Sequence, residues 1–87
     1  MNPLPQAPQL STLFRLQWEE AQNSYVLLYP EGMVQLNSSA AEILKRCDGV
    51  RDVSGIVADL ESAFSESGLR PDVEEFLRAA LERGWIR

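Results

Sequence analysis

The residues that could do chemistry in this chain are few. It contains no histidine, one lysine at Lys45 and one cysteine at Cys47. Without histidine it lacks the commonest general base at neutral pH and the commonest nitrogen ligand for metals. A serine with no such base beside it is a poor nucleophile. Carboxylates are plentiful, 13 Asp and Glu against 8 Lys and Arg. They fall on the caps and polar faces of amphipathic segments, so no shared acid–base pair is expected from them. A lone cysteine can form neither an internal disulfide nor a cysteine metal cluster. Cys47 sits on an apolar stripe and reads as a small buried hydrophobe, with a reactive thiol as the alternative. Lys45 falls on the polar side of the same segment and reads as solvated. No Gly-rich phosphate loop is present. The inventory predicts a protein that binds rather than catalyses, with no cofactor and no metal.

The elements that must shape a binding surface follow from periodicity. A chain of 87 residues makes one domain, and its 45% hydrophobic content suffices for a small core. Residues 1–12 form an extended, proline-rich arm, since Pro3, Pro5 and Pro8 hinder a ladder. It is read as a frayed tail or as an arm that packs on a partner subunit. Residues 13–87 form the domain. Phe14, Leu16 and Trp18 alternate with Arg15, Gln17 and Glu19, the pattern of a half-buried strand. Tyr25 to Tyr29 is apolar throughout and suits a central strand covered on both faces. Pro30-Glu31-Gly32 reverses the chain into a third strand, Met33 to Leu36. Short loops favour an antiparallel meander, with the first and third strands as edges.

At Asn37 the period changes. Asn37 and Ser39 are both good N-caps, and Ser39 with Glu42 fits a capping box. Ala40, Ile43, Leu44 and Cys47 share one helix face, and Asp48-Gly49 stops it. Asp52 caps a second helix whose apolar face is Val53, Ile56, Val57, Leu60 and Phe64. Pro71 opens a third, with Val73, Phe76, Leu77, Ala80 and Leu81 as its stripe. The expected fold is α+β, βββααα: a three-stranded antiparallel sheet followed by three helices, similar to a winged helix-turn-helix.

That shape raises a DNA-binding regulator as the alternative function, and charge argues against it. The net charge is −5. The second helix carries Asp52, Asp59 and Glu61 with no base, and the third sets four acids against Arg78 and Arg83. Neither could enter a major groove without phosphate repulsion, so no nucleic acid is expected. No apolar run approaches a membrane span, and the start lacks the basic and apolar segments of a signal peptide. A cytoplasmic protein without membrane contact is expected. What remains is the third strand: short, uncharged and at an edge, without the Lys or Pro that usually blunts one. An open edge can accept a peptide as an added strand, unless the third helix or another subunit covers it.

The ordered set of residues resembles the PqqD family. It comprises Arg15-Leu16-Gln17-Trp18-Glu19, then Tyr25 through Val34 with its Pro30-Glu31-Gly32, and Leu36-Asn37. It continues with Ala41, Ile43-Leu44, Cys47-Asp48-Gly49, Ile56 and Leu60. Asp72-Val73, Phe76-Leu77, Leu81 and Arg83-Gly84-Trp85 complete it. The likeness runs from Phe14 to Ile86; the proline-rich start and the linker from Ser65 to Arg70 match no family motif.

The resemblance implies a recognition element for ribosomally made, later modified peptides, similar to winged helix-turn-helix domains but binding peptide. It implies that the precursor peptide PqqA adds to strand three and lies against helix three. The complex then passes to PqqE, a radical S-adenosylmethionine enzyme of pyrroloquinoline quinone (PQQ) biosynthesis. Carried over by position, the peptide edge falls on Met33, Val34, Gln35, Leu36 and Asn37. The helix wall falls on Phe76, Leu77, Arg78, Ala80 and Arg83. Of these, Met33, Gln35, Arg78 and Arg83 are the expected direct contacts, while Val34, Leu36, Phe76 and Leu77 also read as core. Cys47-Asp48-Gly49 reads as a helix stop, with docking of PqqE left open. The open edge and the arm also raise a homodimer in the absence of peptide.

Overall fold

The alternation of apolar and polar residues becomes three strands in the computed structural model, which describes residues 3–87. They are β1 (Arg15–Glu19), β2 (Ser24–Tyr29) and β3 (Gly32–Gln35), in antiparallel order β1-β2-β3. A single 3-10 turn, Glu20–Gln22, joins the first two, and Pro30-Glu31 joins the second and third. β2 is central, so both its edges are paired. Val26 and Leu27 have no exposed surface although their side chains point to opposite sides. Leu27 belongs to the core. Val26 lies on the other face, between its register partners Gln17 and Gln35.

Three helices follow: α1 (Ser38–Lys45), α2 (Val53–Ala63) and α3 (Arg70–Glu82). Asn37 caps α1, its side-chain oxygen accepting from the Ala40 N–H at 2.8 Å, so Ser39 is left as a helical residue. Asp52 caps α2 in the same way, accepting from the Gly55 N–H at 2.7 Å. Each satisfies an amide that the first helical turn leaves without a partner. Helix α3 starts one residue earlier than expected, with Pro71 in its first turn, where a missing N–H is harmless. Helix α1 packs on β1 and β2, α2 on α1, and α3 on α2. Their inward faces, Ala40, Ile43, Leu44 and Cys47, then Ile56, Val57 and Leu60, then Val73, Leu77 and Ala80, form one core with Leu27, Leu36 and Ile86.

Three local expectations are corrected by tertiary context. Trp18 lies on the same face as Leu16 and Leu27 but keeps 45% of its surface exposed. It lies near the end of an edge strand, where it makes an edge-on contact with Tyr25, ring centroids 5.1 Å apart. Phe64 is 49% exposed, because α2 ends at Ala63 and the ring leaves the helical face. Lys45 is not simply solvated. It pairs with Glu42 at 3.0 Å and lies over the Tyr25 ring, 4.4 Å from its centre.

The arm differs most from the sequence expectation. Pro8 is fully buried. The Gly49 N–H donates to the Pro8 carbonyl at 3.0 Å, and the Leu10 N–H donates to the Cys47 carbonyl at 3.3 Å. Gln9 and Arg87 exchange backbone bonds at 3.0 and 2.9 Å, and the Ser11 N–H donates to the Trp85 carbonyl at 2.8 Å. Residues 8–11 are therefore tied to the end of the same chain rather than frayed. Proline lacks a donor but still accepts, and the three residues after it keep their N–H groups. Met1 and Asn2, the start of the expected arm, lie outside the described residues.

Candidate peptide-binding site

The outer edge of β3 can be read residue by residue from its register. The Leu36 N–H donates to the Tyr25 carbonyl at 3.0 Å. Leu27 stands opposite Val34, Leu28 opposite Met33, and Tyr29 opposite Gly32. In an antiparallel ladder, bonded and non-bonded pairs alternate. Gly32, Val34 and Leu36 therefore spend their amides on β2, while Met33 and Gln35 turn theirs away from the sheet. Helix α3 packs chiefly on α2. Met33 and Gln35 are exposed, and the Gln35 side chain reaches back to the Ser24 hydroxyl at 3.2 Å.

Across one end of the sheet's core face, from Phe14 ahead of β1 to Val34 on β3, lies an open cleft of about 650 Å³, lined by Phe14, Tyr29, Val34, Arg83 and Trp85. That volume is within the range of small-ligand sites. Four of the five residues are apolar or aromatic, and Arg83 supplies the one charge. Phe14 and Tyr29 form one aromatic pair, ring centroids 5.5 Å apart. The Arg83 guanidinium stacks on Trp85 at 5.4 Å, and Trp85 meets Phe76 at 6.4 Å. A guanidinium over an indole gains cation–π attraction while its N–H donors can still meet an acceptor.

The cleft depends on the arm. Phe14 donates its N–H to the Ser11 carbonyl at 3.0 Å, and Ser11 in turn binds the Trp85 backbone. Two lining residues are thus positioned by one short segment. Of the residues expected at the site, Val34 and Arg83 line the cleft, while Met33 and Gln35 lie on the same strand with their side chains on the other face of the sheet. Phe76 stands half-buried behind Trp85. The other expected contacts lie elsewhere. Leu77 and Ala80 have no exposed surface, and Leu36 has only 6%, so all three belong to the core behind the cleft. Asn37 commits its side chain to capping α1. Arg78 pairs with Glu74 at 3.7 Å on the outer side of α3 and does not line the cleft.

Sequence reasoning missed Phe14, Tyr29 and Trp85 as cleft residues. Their large apolar rings marked them for burial, and only their convergence from three distant segments makes a wall. Among the described residues, no group of three or more His, Cys, Asp and Glu is placed to hold a metal ion, and no helix is long and apolar enough to cross a membrane.

A family model described as "Coenzyme PQQ synthesis protein D (PqqD)" matches residues 24–86. A "PqqA binding protein" of Azotobacter vinelandii is 60% identical over 80 residues, covering 91% of this chain and 87% of that protein. Another from Methylococcus capsulatus is 56% identical over 79 residues, covering 91% and 85%. Among solved structures, the solution structure of the PqqD part of Methylobacterium extorquens PqqCD superposes with a TM-score of 0.77. It is 28% identical, with 92% of this chain and 87% of that chain covered. That protein is described as a functional, stand-alone recognition element for ribosomally synthesized and post-translationally modified peptides. The three-stranded sheet followed by three helices is thus the fold of that recognition element, and the chain belongs to the PqqD family.

Proposed function

We propose that this chain is a non-catalytic PqqA-binding protein of PQQ biosynthesis, which takes the precursor as a fourth strand on β3. The observation that carries the reading is the pair of outward-facing amides at Met33 and Gln35, bordered by an apolar cleft. Main-chain bonds along such an edge supply affinity, and the cleft supplies choice of side chain. The bound peptide is then presented to the radical S-adenosylmethionine enzyme PqqE. With its edge unfilled, the protein can pair with a second copy of itself, and analytical ultracentrifugation with and without PqqA tests this. A single monomeric species in both conditions removes the dimer from the proposal.

Gln35→Pro is the direct test of the edge. The Gln35 N–H makes no bond to β2, so proline there removes a bond to the guest and leaves the sheet's own ladder intact. Calorimetric titration with synthetic PqqA should show affinity reduced about tenfold or more, the equivalent of one lost backbone bond with its geometry. Unchanged affinity in a folded variant refutes strand addition at β3. Mixing PqqE with the wild-type complex, and with PqqA alone, tests the hand-over separately.

A further inference from the structure

Arg83 stands apart from most of the protein's other cations. Lys45, Arg46, Arg51, Arg70 and Arg78 each lie within 4 Å of a carboxylate. Among the described residues, no carboxylate lies within that distance of Arg83, although the chain carries 13 of them. Its guanidinium is held on the Trp85 ring and is the one charge lining the cleft beside the β3 edge. The fold thus places a pre-oriented, unneutralised fork of N–H donors on an aromatic floor. Such a group is matched by the planar oxygens of a carboxylate.

The register of an added strand narrows what can reach it. Side chains of a strand alternate between faces, so residues two apart share a face about 6.6 Å from each other. On β3, Val34 points to the core face, and it lines the cleft with Phe14, Tyr29 and Trp85. A guest strand on the open edge sends every second side chain over this same wall. We propose that Arg83 is the specificity-determining residue of the site. It selects a peptide carrying an Asp or Glu two residues from an apolar side chain, the carboxylate on Arg83 and the apolar group between Phe14, Tyr29, Val34 and Trp85. This rests on the strand-addition reading above.

The experiment is a charge-swap titration with synthetic PqqA and the full chain. Arg83→Gln and Arg83→Glu are compared with wild type, and each Asp and Glu of the peptide is changed in turn to its amide. Arg83 is exposed, and an unchanged amide spectrum away from the cleft verifies that both variants fold. Arg83→Gln should weaken binding about tenfold. One peptide amide substitution should cost wild type the same factor and cost Arg83→Gln nothing further. A lysine at that peptide position should bind Arg83→Glu better than it binds wild type. Equal affinity of wild type and Arg83→Gln overturns the proposal, and so does a loss that no peptide carboxylate reproduces. Gln35→Pro separates the two levels. If it weakens binding while Arg83→Gln leaves affinity unchanged, the edge stands and the charge selection falls; if it has no effect, both fall.

Discussion

Cys47 carries the protein's one thiol, and burial followed by the nearby Asp48 carboxylate pushes its pKa up to about 12. The reactive form is the thiolate, so the folded protein should resist alkylation. Iodoacetamide at pH 8 should label Cys47 slowly in buffer and rapidly in strong urea, followed by mass spectrometry. Rapid native labelling would show that the α1 end opens readily. Glu42 offers the opposite sign. Hydrogen bonds from Lys45 and then Arg46 hold its carboxyl below its ordinary 4.5. A lowered native pKa adds stability that is present above the unfolded value and is lost as pH falls through the native one. Stability should therefore fall below about pH 4.5, and Glu42→Gln should flatten that limb while costing about 0.5–1 kcal/mol at pH 7 in urea unfolding. Gly49 has φ +78, and an added Cβ would press on the Gln9 side chain. Gly49→Ala should cost about 1–2 kcal/mol and loosen the arm, visible as faster amide exchange at Gly49 and Arg87.

The elements themselves were largely legible. Period two over Leu16 to Trp18, the Pro30-Glu31-Gly32 reversal and the apolar spacing of Ala40, Ile43, Leu44 and Cys47 are local signals, and each lies where the structure places it. Trp18 and Phe64 went astray at element ends, where periodicity continues in the sequence but the covering partner does not. The cleft was half legible. Met33 and Gln35 follow from strand order alone, whereas Phe14, Tyr29 and Trp85 depend on how the arm and the final residues meet. No local pattern encodes that meeting. It also predicts where the cleft is vulnerable. Ser11→Pro removes the donor to the Trp85 carbonyl and should lower stability by about 0.5–1.5 kcal/mol. Its larger effect should be on PqqA affinity, because Phe14 and Trp85 lose their common support. Equal affinity in calorimetry would show that the wall stands without the arm.

At the scale of the molecule, the net charge is −5. Helix α3 carries Asp72, Glu74, Glu75 and Glu82, so phosphate repulsion acts where a recognition helix would need cations. A mobility-shift assay with random duplex at about 50 mM salt, where electrostatic binding is strongest, should show no complex. A retarded band persisting at higher salt would restore nucleic acid as a partner. The pairing of Gln9 with Arg87 has a separate consequence. Because these two positions touch, a protein tethered after Arg87 would emerge alongside the arm and Trp85, at the mouth of the groove.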